Sequence, residues 1–301
     1  CMREQNVSSV AVEVSAQALT QLRVDGLVFD VAGFTNLSHD HLDDYADMSE
    51  YLAAKAELFQ PERARRGVVS LDSEYASEFL KLSKIPAVTV TYRTDIEADF
   101  QVTVTEELPG LTKFEVRLPS GRVIKTSVPI IGAHMASNAG LAIAMLVQAG
   151  FSEERIGEAL ESGIDCYLPG RTELVSESGS PAVFVDFGHS PDAFLNTLTA
   201  VRKVTKGKVV MLFGADGDRD ASKRPAMAQV AVEHSDILVI TDHHPRFEDA
   251  ASIRATLLAS AKQVRPDGEI YEVSPPEEAI VKAVSLVRPG DSILWAGPGH
   301  Q

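Results

Sequence analysis

The sequence predicts an α/β protein of two domains, on three observations. Short β-rich runs alternate with helical patterns over most of the length, as in a parallel sheet with crossover helices. The second half holds four apolar runs, AVFVDF from Ala182, VVMLFG from Val209, ILVIT from Ile237 and SILWAG from Ser292. Strands this continuously apolar are buried on both faces, as in an open doubly wound sheet. Between the halves, CYLPGRTE at 166–173 breaks a helical pattern with Pro169 and Gly170, and a new alternation starts beyond it.

The first domain is expected over residues 1–168. SVAVEVS (9–15), LVFDVAGFTN (27–36) and VVSLD (68–72) read as strands, with a helical stretch running through 53–59. Between 98 and 129 the chain turns to alternating Thr-rich and Val-rich segments with an SGR turn at 120–122, which predicts a small antiparallel insert. Two helices, from about His134 and from Ser152, lead out of it. The second domain is expected over 169–301, with helical patterns between its four strands.

Composition narrows the function. With 301 residues, 45% of them hydrophobic, the chain is long enough for two cores. Its 28 basic side chains stand against 43 acidic ones, and the net charge of -15 without any basic block argues against a nucleic-acid partner. No apolar run is long enough to span a bilayer and the first residues lack a secretory apolar stretch, so a cytoplasmic protein with no membrane insertion is expected; a monomer is also expected. Two cysteines, Cys1 and Cys166, are too few for a disulfide framework or a four-thiolate zinc site.

In open α/β sheets ligands bind outside the carboxyl ends of the strands. Polar residues cluster directly after the expected strands: Glu13 and Ser15, residues 36–43, Asp186 and His189, and the charged loop 214–224. Taken singly, each is also what a helix cap or a turn requires. Taken in order, VEVSAQALTQLR (from Val12), FTNLSHDHLD (Phe34), YLAAKAELF (Tyr51), PGRTE (Pro169), VDFGHSPDA (Val185), GADGDRDASKRPAM (Gly214) and WAGPGH (Trp295) resemble successive motifs of the Mur ligases. The resemblance is greatest to the UDP-N-acetylmuramoyl-tripeptide synthetase branch. It implies a partial central ATPase-type domain, mostly parallel with the antiparallel insert, followed by a Rossmann-like C-terminal domain.

It also implies roles. Glu13, His41 and Lys55 match the magnesium and catalytic positions, with Lys55 carried as a carbamate; on composition alone Lys55 is a solvated helix lysine. Carbamylation turns an ammonium into an anion and first requires loss of a proton, hence a shielded setting. Asn138, Arg171, Asp186 and His189 match ATP-contacting positions. Ser15, Gln21 and Arg23 match the pocket for the UDP-N-acetylmuramoyl dipeptide. Arg224, His243, His244, Arg246, Gly297 and Gln301 match the pocket for the incoming amino acid. Arg246 suits a distal carboxylate, which meso-diaminopimelate has and L-lysine lacks.

The chain departs from the family pattern at Gln17 and Met135, where His and Asn are usual. It departs again at His243 and His244, in place of Asp and Asn, and at Pro298 and Gln301, in place of Lys and Glu. Those changes leave the amino acid open between meso-diaminopimelate, L-lysine and another. No G-x-x-x-x-G-K-[ST] phosphate loop is present, and the chain is expected to be cut at both ends and to ligate little by itself. The activity implied for the parent is ATP-dependent amide formation on UDP-N-acetylmuramoyl-L-Ala-D-Glu, through an acyl phosphate. Two alternatives remain: a related ligase with another acceptor, of folylpolyglutamate- or cyanophycin-synthetase type, and a non-catalytic partner on the same fold.

Overall fold

The structure is a computed structural model and describes residues 4–37 and 45–297. The first half runs α1 (Ala16–Thr20), β1 (Phe29–Phe34), α2 (Met48–Ala56), β2 (Ala64–Ser70), α3 (Ala76–Leu82), β3 (Ala87–Thr91), β4 (Phe100–Leu108), β5 (Leu111–Arg117), β6 (Val123–Val128), α4 (Ala133–Gln148) and α5 (Glu153–Leu160). Its strands form one six-stranded sheet in the order β1-β2-β3-β4-β5-β6, parallel from β1 to β4 and antiparallel beyond. The antiparallel insert read from the sequence is thus β4 to β6, and its turn carries Gly121 at φ 88, where a side chain would strain the backbone.

One sequence expectation fails here. Residues 9–15 form no strand: they run extended without ladder partners, and Val10 and Val12 lie more than half exposed. Alternation of Val with polar residues is necessary for a half-buried strand but does not supply the neighbour that buries it. Glu13 therefore sits in an extended segment rather than at a strand end. β3 is not among the strands expected from the sequence.

The second half runs β7 (Glu173–Leu174), β8 (Ala182–Asp186), α6 (Pro191–Val204), β9 (Val209–Phe213), α7 (Arg224–His234), β10 (Ile237–Ile240), α8 (Ala250–Val264), β11 (Glu269–Glu272), α9 (Pro276–Ser285) and β12 (Ser292–Ala296). Its sheet has the order β11-β10-β9-β12-β8-β7, all parallel except the short edge strand β7. Every residue of β9 and β10 is buried, as strands covered by helices on both faces must be. Helices α6, α7 and α8 pack on one face over Phe194, Met211, Phe213 and Leu257, while α9 covers Val210, Leu212 and Val239 on the other.

Local sequence sets the helix starts that matter. Ser190 caps α6 by accepting from the Ala193 amide, with Pro191 in the first turn and Arg202 and Lys203 in the last, where they oppose the helix dipole. Asp47 accepts from the amides of Ser49 and Glu50 while Glu50 reaches back to the Ala46 amide at 2.6 Å, a reciprocal cap that fixes the start of α2. The two halves touch through Ile131, which packs into the core of the second sheet, and through the ion pair Lys203–Glu107 at 2.8 Å.

Candidate functional site

Two groups of expected site residues come together, the first along edge strand β1 and the second at the carboxyl ends of strands in the second sheet. The first lines a cavity of about 390 Å³ that holds Glu13, Ser15, Gln17, Asn36, Tyr51 and Lys55. Its floor is aromatic: Phe34 stacks on Phe79 at 3.8 Å between centroids and Phe59 meets Phe79 edge-on at 4.7 Å, contacts that stabilise by about 1 kcal/mol each beyond area burial. Helix α2 presents Tyr51 and Lys55 on one face, four residues apart, and the ammonium lies 5.0 Å from the Tyr51 ring centre.

Burial holds the Lys55 ammonium below the ordinary lysine range, and the Glu13 carboxylate partly opposes that shift. Lys55 is half-buried and lines the cavity, rather than standing in open solvent as composition alone suggests. Ser15 uses its side chain to cap the five-residue α1. Gln21 and Arg23 lie past the end of that helix, exposed and outside the cavity lining. His41 falls outside the described residues, as does Gln301.

Glu13 supplies one hard oxygen donor to this cavity, and Lys55 would add a second oxygen donor only as a carbamate. Among the described residues no three His, Cys, Asp or Glu side chains converge as a metal site. Glu13 and a carbamylated Lys55 would be the few oxygen donors that suit a phosphate-bridging cation.

The second group collects at the ends of β8, β9, β10 and β12. Buried Asp186 ends β8: one carboxylate oxygen accepts from the Thr172 amide and hydroxyl at 2.7 and 2.9 Å, the other from the Gly188 amide at 2.6 Å. It thereby pins the 164–172 connection to the second sheet. Phe187, not singled out in the sequence, organises its neighbours: the Arg171 guanidinium lies 5.1 Å from its ring centre and the His189 ring packs edge-on at 5.6 Å. The Gly297 amide donates to the Asp186 carbonyl at 2.9 Å, and the His243 ring lies 3.8 Å from where a Gly297 Cβ would project.

His243 also meets Asp216, Nε2 to Oδ1 at 3.6 Å, and the His244 ring at 4.4 Å. Burial lowers its pKa against the pull of Asp216, with His244, His189 and Arg246 adding to the depression, so the imidazole stands neutral near pH 7. Arg246 is exposed in the next turn of the same loop. Arg224 is different: its guanidinium is buried and bonded to Glu248 and to the Asp216 carbonyl, so it does not face the cleft as an open cation.

Asn138 is exposed on α4 and its amide approaches the Met135 sulfur at 3.8 Å. Near the start of that helix stand two residues not assigned to the site from the sequence, Asp72 and His134. Asp72, just past β2, accepts from the Ser137 hydroxyl, from Thr91 Oγ1 at 2.5 Å and from the Tyr92 amide at 3.2 Å. His134, one turn before Asn138, lines a small interdomain cavity with Tyr92, Glu107, Asn196 and Lys203. A carboxylate directly after a strand was the available signal for Asp72; His134 carried none.

Two sheet units of mostly parallel strands, the first with ionisable residues in a cavity along β1 and the second with them at its strand ends, define an α/β protein with two candidate ligand sites. Family comparison agrees. The Mur ligase middle domain matches residues 1–146, and the Mur ligase glutamate ligase domain matches residues 170–299. The chain belongs to the Mur ligase family. It is 55% identical over 302 aligned residues to a UDP-N-acetylmuramyl-tripeptide synthetase of Leifsonia xyli and 38% identical to a UDP-N-acetylmuramoyl-L-alanyl-D-glutamate–2,6-diaminopimelate ligase of Streptomyces avermitilis. Both alignments cover all of this chain and 59% of the relative, so the chain spans less than two thirds of their length.

Among solved structures, a UDP-N-acetylmuramoyl-L-alanyl-D-glutamate–2,6-diaminopimelate ligase aligns with TM-score 0.63 at 26% identity, over 99% of this chain and 60% of that one. A Mycobacterium tuberculosis folylpolyglutamate synthase aligns with TM-score 0.68 at 21% identity, over 89% and 61%, which speaks for the shared fold alone. Among the described residues no helix is long and apolar enough to cross a membrane.

Proposed function

We propose that the protein containing this chain is an ATP-dependent ligase that joins an amino acid to UDP-N-acetylmuramoyl-L-Ala-D-Glu. The observation that carries the reading is the placement of Lys55 beside Glu13 in the first cavity, with its ammonium destabilised by burial. A lysine that loses its proton readily reacts with carbon dioxide to give a carbamate and a proton, which turns a cation into an oxygen ligand. The names of the Leifsonia and Streptomyces relatives support the same substrate class.

The reaction has to make a carboxylate into an electrophile. Its oxygen attacks the γ-phosphorus of ATP, ADP leaves, and the acyl phosphate accepts a neutral amine; phosphate departs with the carboxylate oxygen as the amide forms. Glu13, carbamylated Lys55 and His41 would hold magnesium, whose charge offsets that of the phosphate oxygens. Asn138, Arg171, Asp186 and His189 would bound the nucleotide from both halves, so that their approach assembles the site. Ser15, Gln21 and Arg23 are assigned to the muramoyl dipeptide, with Gln21 and Arg23 needing a substrate that reaches beyond the cavity.

For the amino acid, His243, His244, Arg246, Gly297 and Gln301 are the residues assigned by the family resemblance. Exposed Arg246 favours meso-diaminopimelate through its distal carboxylate. A second reading, an amino acid other than meso-diaminopimelate, is favoured by His243 and His244, which stand where a carboxylate would pair with a distal ammonium. The test is ATP turnover by the intact protein with and without each substrate, against a panel of amino acids. Turnover that ignores the muramoyl dipeptide would remove the ligase assignment.

A further inference from the structure

Two loops meet at the cleft wall of the second sheet, 214–223 after β9 and 241–249 after β10, and the bonds between them are unusually dense for exposed loops. The Gly217 amide donates to the His244 carbonyl at 2.9 Å, the Phe247 amide to Asp218 Oδ2 at 2.8 Å, and the Asp218 amide to Glu248 Oε1 at 2.7 Å. Glu248 is also gripped by Arg224 through two parallel bonds, Nη1 to Oε2 at 2.9 Å and Nη2 to Oε1 at 2.7 Å, while Nη2 reaches the Asp216 carbonyl at 2.8 Å. The loops cross so closely at Gly217 that any side chain there would overlap the Pro245 carbonyl.

Arg224 sits at the first turn of α7 with its side chain 7% exposed, whereas Glu248 is 33% exposed. A buried guanidinium without a partner is strongly unfavourable, so Glu248 is what permits Arg224 to lie there. The same pair leaves Arg224 neutralised. Arg246, two residues before Glu248, adopts φ 53, a left-handed conformation rare for a non-glycine residue and held only where its surroundings fix it. The fixing bonds lie on both sides of it, at His244 and Phe247.

We infer that Glu248 is a positioning residue for the amino-acid pocket: through Arg224 and the Asp218 amide it locks the two loops into one wall and so places His243 and Arg246. The inference rests on the proposed ligase reading for its substrate, but the lock itself does not. On this account Arg224 is part of the clamp and Arg246 is the cation offered to the ligand. The Arg224 guanidinium holds the Glu248 carboxyl below its ordinary range, so the clamp stays closed at neutral pH.

The test is Glu248→Gln, which keeps size but removes the charge and turns one acceptor into a donor facing Arg224. In this chain the amides of Gly217, Asp218 and Phe247 should exchange hydrogen faster, with the β9 and β10 amides unchanged. In the intact protein the KM for the amino acid should rise by about tenfold or more while kcat and the KM for ATP hold, because only the amino-acid wall loses its geometry. Glu248→Asp, which keeps the charge, should recover part of that loss. Unchanged loop exchange, or an unchanged amino-acid KM in a protein that turns over, overturns the inference. Should Glu248→Gln not fold, Glu248→Asp carries the test, and a KM equal to that of the unaltered protein overturns it. If the unaltered protein shows no amino-acid-dependent turnover, the ligase reading fails, and loop exchange alone decides the lock.

Discussion

Replacing Gly140 by alanine sets two effects of known size against each other. Gly140 lies in the buried face of α4, which crosses the first sheet and carries both His134 and Asn138. In an isolated helix the change is favourable by about 1 kcal/mol, since alanine is the better helix former. Here the added methyl would stand 2.3 Å from Val102 Cγ2, where ordinary contact begins at 3.4 Å, so α4 and β4 must part by about 1 Å. Val102 is fully buried and β-branched, and cannot turn away cheaply. Overpacking of this kind costs about 1–3 kcal/mol. The clash outweighs the propensity gain, and a net loss of up to about 2 kcal/mol should lower the melting temperature by a few degrees. Val102→Ala in the same chain should relieve the clash, so the double variant should lose less stability than the two single losses combined. Calorimetry of the four proteins measures this. A Gly140→Ala chain as stable as the original, or additive losses, would refute the packing of α4 on β4 described here.

Two further outcomes follow from the ionisable groups. Lys55→Ala in the intact protein should lower turnover by about a hundredfold or more, and acetate or bicarbonate should restore part of it by refilling the anionic position; unaffected activity would return Lys55 to an ordinary helix lysine. Burial holds His134 below its ordinary 6.5, against the pull of Asp186 and Glu107 and with the push of Lys203. As pH falls the unfolded chain takes up that proton first, so the histidine contributes stability that is present above 6.5 and is lost as pH drops through its folded pKa. His134→Phe should therefore flatten the fall in melting temperature between about pH 7 and pH 5 relative to the unaltered chain, and parallel pH profiles would contradict the buried neutral imidazole.

The parts of the fold that sequence foretold best were those governed by burial on both faces. Val209–Phe213 and Ile237–Ile240 could be nothing but central strands, since a continuous apolar run between turn signals has no solvent side. Residues 9–15 misled because alternation describes what a strand looks like once paired, and pairing is a tertiary event. β11 escaped notice for the opposite reason: Glu269–Glu272 is an edge strand with exposed ends and too little apolar content to signal itself. In the site, order along the chain was enough to nominate Glu13, Lys55, Asp186 and His243. It was not enough to assign Arg224, whose state depends on Glu248, a residue 24 positions away that reads as an ordinary surface acid. Nor could it show the shielding of Lys55, which is made by α2 folding back over the aromatic floor of the cavity.

The most direct measurement follows oxygen. With the free side-chain carboxylate of the UDP-N-acetylmuramoyl dipeptide labelled with heavy oxygen, turnover by the intact protein should deliver one labelled oxygen to each phosphate released, as an acyl phosphate opened by an amine requires. Phosphate that carries no label while amide accumulates would contradict the acyl-phosphate route, and label-free phosphate without amide would contradict ligation itself.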